Sequence, residues 1–89
     1  MNGAGKTMDA MKSGDRAVVL ALSAEPKLRR RLQDIGLVQG ARVDCVQVSP
    51  LGDPKAYYIR GAVIALRQRD AASVKILMEK GGGDGYGRS

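Results

Sequence analysis

The sequence predicts a mainly β fold: a small barrel of about five strands with one short helix inserted after the first strand. Two observations point there. Short runs of alternating apolar and polar residues recur along the chain, each bounded by Gly, Pro, Asp or Ser. A helical spacing of apolar residues shows only around residues 26–35. Length and composition then limit the core. A chain of 89 residues buries roughly 60–65% of the surface its unfolded form exposes. With three Tyr and no Phe or Trp, the core is built from Val, Leu, Ile, Met and Ala.

Residues 1–13 are small and polar without a sustained period, and read as a flexible lead-in to a domain over residues 14–79. Gly5-Lys6-Thr7 imitates the end of a phosphate-binding loop, but the motif needs a glycine five positions before Gly5 and a strand leading into it, and neither is expected here. Gly14-Asp15 marks a turn into a first strand, Arg16 to Ser23, which is apolar on both sides: Val18, Leu20 and Leu22 alternate with Val19 and Ala21. Pro26 then suits the first helical position, where its missing N–H is not needed. Leu28, Leu32 and Ile35 recur at i, i+4 and i+7 on one face, with Arg29, Arg30 and Arg31 over the rest. Gly36 stands where the helix needs a left-handed residue to stop, and Gly40 where a turn leads into the next strand.

That second strand, Ala41 to Ser49, changes phase midway. Val43 and Cys45 share one face, Val46 and Val48 the other, which predicts a β-bulge. Ser49 to Pro54 holds two prolines and a glycine and reads as a rigid loop. Leu51 within it either covers the core edge, the default for leucine, or projects as an apolar contact. Lys55 to Arg60 is the third strand, with Tyr57 and Ile59 on one face. Gly61-Ala62 is read as a two-residue hairpin, Val63 to Arg67 as the fourth strand, Asp70-Ala71-Ala72 as a short turn or single helical turn, and Val74, Ile76 and Met78 as the alternating face of the fifth. Residues 80–89 read as a flexible glycine-rich tail.

The chemistry inventory is short. There is no histidine and one cysteine, Cys45, so the usual zinc, copper and non-haem iron ligand sets cannot be assembled within one chain, and the commonest general base is missing. Asp34, Asp44, Asp53 and Asp70 fall on different elements. No spacing places a nucleophile beside a base, and a binding module rather than an enzyme is expected, with no cofactor and no metal site. A lone cysteine fits a reducing compartment and a buried small hydrophobe. The longest apolar run, Ala17 to Leu22, is far short of the ~20 residues a membrane span needs, and the expected location is the cytoplasm. The net charge of +6 invites an anionic partner.

Three stretches, in order and at matching spacing, carry a family resemblance. Leu32-Gln33-Asp34-Ile35-Gly36-Leu37-Val38-Gln39-Gly40, then Ser49-Pro50-Leu51-Gly52-Asp53-Pro54, then Ile59-Arg60-Gly61 with Ile64-Ala65-Leu66-Arg67 resemble the FeoA family. Asp70-Ala71-Ala72 with Val74-Lys75-Ile76 matches its closing segment, so the resemblance runs from Arg16 to Met78. Gln39 departs from it, standing where the family commonly has proline. The resemblance implies an SH3-like barrel and a small cytoplasmic accessory protein of bacterial ferrous iron transport. Such a protein acts by contact with the FeoB transporter and reaches the membrane only through that partner. The expected contact surface joins Leu37, Leu51, Gly52, Asp53, Pro54 and Arg60, with Arg29 and Arg30 adding positive charge. Two alternatives remain: a nucleic-acid-binding SH3-like barrel, favoured only by basicity and short of the aromatic platforms single strands stack on, and a free regulatory module related to the C-terminal domain of iron-dependent repressors.

Overall fold

A computed structural model of the chain describes residues 6–79. Six antiparallel strands form one sheet: β1 Lys6–Thr7, β2 Arg16–Leu22, β3 Arg42–Val48, β4 Lys55–Ile59, β5 Ala62–Leu66 and β6 Val74–Met78, in the spatial order β1-β6-β2-β3-β4-β5. Helix α1, Pro26–Asp34, follows β2, and a single helical turn, α2, Gln68–Ala71, joins β5 to β6. The ladder stays open, with β1 and β5 as its edges.

Inward residues alternate along each strand, as a half-buried sheet requires. Ala17 and Val19 of β2, Val43 and Cys45 of β3, Tyr57 and Ile59 of β4, and Val74 and Ile76 of β6 are all at most 1% exposed, and no polar or charged residue is buried with them. The phase change expected in β3 is a register shift between Cys45 and Gln47 that leaves Val46 on the outside. A second shift lies in β2 between Val19 and Ala21. It explains why that strand reads as apolar on both sides: Ala17 and Val19 point inward before the shift, and Leu22 packs partly against the core after it.

Helix α1 begins at Pro26 and seats Leu32 in the core, with Leu28 and Ile35 at its margin. It stops in a Schellman arrangement. The Gly36 N–H donates to the Gln33 carbonyl at 3.0 Å and the Leu37 N–H to the Leu32 carbonyl at 3.0 Å. Gly36 takes φ +111°, as the motif demands.

Three expectations need correction. The reading of residues 1–13 as lead-in fails for the described part. Lys6 and Thr7 pair with Ile76 and Lys75, and Met8 and Met11 are fully buried. A two-residue strand and a 3-10 turn at Met8–Ala10 are too short to show a period. The Lys55 ammonium holds them, donating to the Asp9 and Met11 carbonyls at 2.7 Å each, and the Tyr57 hydroxyl donates to the Met8 carbonyl at 3.3 Å. Second, the β4–β5 hairpin turns one residue early. Ile59 pairs with Ala62, so the loop is Arg60-Gly61 with φ +48° and +87°, the signs of a type I′ turn. Third, Leu37 is 0% exposed; as the apolar residue just beyond the Schellman stop it packs into the core, and no partner reaches it in the folded chain. The tail at 80–89 lies outside the described residues.

Candidate contact surfaces

The loop between β3 and β4 is built to hold one leucine out. Its residues Ser49 to Gly52 form a β-turn with Pro50 second and Gly52 fourth, closed by the Gly52 N–H donating to the Ser49 carbonyl at 2.8 Å. Leu51 occupies the third position and is 92% exposed. Of the two roles its sequence left open, the structure takes projection. The base of the loop is fixed on both sides of Pro54. Before it, Asp53 Oδ1 accepts from the Gln68 N–H at 2.8 Å, supplying the first turn of α2 with an acceptor from another element. After it, Lys55 ties β4 to the 3-10 turn.

Beside this loop lies an open depression of about 700 Å³ lined by Asp9, Asp53, Arg67, Gln68, Arg69 and Ala72. Its two carboxylates and two guanidiniums balance. Asp9 Oδ1 accepts from the Thr7 hydroxyl. Among the described residues, no three His, Cys, Asp or Glu side chains gather to hold a metal ion.

Arg60 lies at the other end of β4. It lines a second open groove, about 630 Å³, with Val38, Gln39, Arg42, Asp44 and Tyr58. The stem of Arg60 passes over Gly36: a Cβ on that glycine would lie 2.8 Å from Arg60 Cγ. Arg30 belongs to a third depression, with Glu25, Pro26 and Lys27, and Arg29 is exposed on the same helix. The structure therefore gathers Leu51, Gly52, Asp53 and Pro54 on one loop. It sets Arg60 in a separate groove, leaves Arg29 and Arg30 on α1, and removes Leu37 to the core. Reading the sequence alone missed Arg67, Gln68 and Arg69 beside the loop and Val38, Arg42 and Tyr58 around Arg60. The run of cations at Arg67 and Arg69 was the available signal for the first group.

Two buried ionisable groups lie under these surfaces. Burial pushes the Cys45 thiol up from its ordinary value, with Lys55 opposing in part. Burial raises the Tyr57 hydroxyl strongly, and negative charge at Cys45, Asp9 and Asp53 reinforces it. Both stay protonated near neutral pH. A thiol held neutral is a packing group, not a nucleophile.

The class is thus a small open antiparallel sheet with one helix, which presents an exposed leucine on a braced loop and a groove beside the β4–β5 hairpin. The sequence model of the FeoA domain matches residues 6–77. The chain is 32% identical over 69 residues to a fusion protein of Fe(2+) transport protein A and the Fe(2+) transporter FeoB from Porphyromonas gingivalis; the match covers 78% of this chain and 8% of that much longer protein. The solution structure of FeoA from Chlorobium tepidum is 37% identical, with a TM-score of 0.79, covering 85% of this chain and 72% of that one. The crystal structure of Stenotrophomonas maltophilia FeoA complexed with zinc, described as a prokaryotic SH3 domain protein, is 28% identical with a TM-score of 0.71, covering 80% of this chain and 88% of that one. The chain belongs to the FeoA family.

Proposed function

We propose that this chain is an accessory protein of ferrous iron transport that acts by direct contact with a FeoB-type transporter at its cytoplasmic face. The fusion relative carries the reading: there a segment like this one and a FeoB transporter share one polypeptide. Tethering raises the effective concentration of two modules that work together, which makes the same contact the natural role for a separate chain. The Leu51 loop supplies the anchor. A fully exposed leucine on a rigid turn matches the apolar centre of a protein interface, and Asp53, Arg67 and Arg69 match its polar rim. Nothing in this role needs a catalytic group.

Calorimetry of the chain with the cytoplasmic region of the transporter from the same organism, with and without guanine nucleotide, tests it. Saturable binding is expected. Dependence on nucleotide would tie the contact to the nucleotide cycle, and absence of heat in both states at low salt would overturn the reading.

A further inference from the structure

We propose that the groove between the turn at residues 38–41 and the Arg60-Gly61 hairpin takes an extended acidic segment of the transporter. A carboxylate of that segment meets the Arg60 guanidinium, and a neighbouring apolar side chain lies on Val38 and Tyr58. This rests on the transporter reading above and names a second surface and its ligand chemistry.

The argument begins with charge. Two ionic side chains besides Arg60 line the groove, Asp44 and Arg42, and each has an ion-pair partner, although Asp44 Oδ1 accepts no hydrogen bond. Asp44 Oδ1 lies 3.8 Å from Arg16 Nε, and Arg42 Nε lies 3.3 Å from Glu79 Oε2. Arg60 has no hydrogen-bond or ion-pair partner among the described residues. The groove is thus left with one uncompensated cation. Beside it lie two apolar groups open to solvent, Val38 at 38% and Tyr58 at 46%. One anion next to one apolar side chain is the complement.

Backbone conformation strengthens the case. The first position of a type I′ turn favours Asn, Asp or Gly. Arginine at φ +48° carries a left-handed cost of roughly 1–2 kcal/mol, and such departures gather where a side chain is put to use. The stem of Arg60 runs across Gly36, where the missing Cβ makes room. That contact fixes the side chain before a ligand arrives and lowers the ordering entropy of binding.

The test is amide-shift mapping by NMR of the full chain, titrated with the transporter's cytoplasmic region. Shifts are expected to cluster at residues 38–42 and 58–61. Arg60→Asn suits the turn and should keep the melting temperature while weakening affinity about tenfold or more, the effect of losing a hydrogen bond to a charged partner. Arg60→Lys, which keeps charge and stem but not the fork, should recover part of that loss. Binding with unchanged affinity in Arg60→Asn, and shifts confined to residues 49–54 and 67–72, would overturn the groove and leave the transporter reading in place. No binding by either variant or the parent would overturn both. Groove shifts that appear on concentrating the chain alone would give the groove to a second copy and overturn the proposal.

Discussion

Leu51 and Leu37 form a matched pair of perturbations with opposite expected outcomes. Leu51 is 92% exposed and Leu37 is 0% exposed. Truncating Leu51 to Ala removes almost no area from the folded core, so unfolding free energy should change by less than about 0.5 kcal/mol. Partner affinity should change far more. Burying a leucine at an interface is worth about 1.5–3 kcal/mol, and at 1.4 kcal/mol per tenfold the central value corresponds to a loss of roughly 40-fold in Kd. Leu37→Ala reverses the pattern. It opens a cavity beneath the helix stop and should cost about 3–5 kcal/mol of stability, a large share of what a domain of this size has. Urea unfolding gives the first quantity and calorimetry against the transporter's cytoplasmic region gives the second. A Leu51→Ala chain that melts early, or one that binds as tightly as the parent, would refute the assignment of Leu51 as a projecting contact.

Other outcomes follow from the same contacts. Lys55→Met leaves the Asp9 and Met11 carbonyls without their donor; it should cost about 1.5–3 kcal/mol, and hydrogen exchange should show residues 6–11 losing protection before the rest. Gly36→Ala forces a Cβ into a φ of +111° and against the Arg60 stem, an expected loss of about 2–4 kcal/mol that Arg60→Gly should partly relieve in the double variant. Alkaline pH should destabilise the fold. Cys45 and Tyr57 are neutral acids with raised native pKa values, so their stabilisation is complete below their ordinary values of 9.0 and 10.0 and is lost as pH rises, because the unfolded chain releases those protons first. The slope should approach about 1.4 kcal/mol per pH unit for each group, and Cys45→Ala should move its onset upward toward the tyrosine range in denaturant titrations at pH 8–11.

Most of the sheet was legible because the strands after β2 have their inner faces written in alternation. The β3 bulge was legible for the same reason: a break in phase between Cys45 and Val46 has no other cheap explanation. The β2 shift was not, since Val18, Val19 and Leu20 are apolar on either side of it and no phase can be seen to break. The N-terminal segment escaped because what holds it is non-local. A lysine at 55 and a tyrosine at 57 satisfy carbonyls near residue 10, and no local pattern announces that. The hairpin was misplaced by one residue because the glycine invites the first turn position, whereas Ile59 and Ala62 pair and force a non-glycine residue into a left-handed conformation. Among the candidate residues, the rigid turn that carries Leu51 was legible from its prolines and glycine. Leu37 was misjudged because a leucine after a glycine stop looks like loop, while the Schellman bonds carry it back under the helix.

The two surfaces share a physical logic that bears on how the domain works. Each presents a contact group whose position is settled before a partner arrives. Leu51 sits on a closed turn whose base is fastened to α2 by Asp53 and to the N-terminal segment through Lys55. Arg60 is set by a two-residue turn and by its own stem on Gly36. β4 links them, and its five residues separate the loop from the hairpin by about 17 Å. That spacing is smaller than the breadth of a standard interface, about 800 Å² on each partner. Groups fixed on one strand cost little ordering entropy to bury together. Their relative position would change little in the proposed association, as in pre-organised complexes. Under the proposed contact, a domain of this construction gains from a tether only through effective concentration, and the same surfaces would serve a fused and a separate chain.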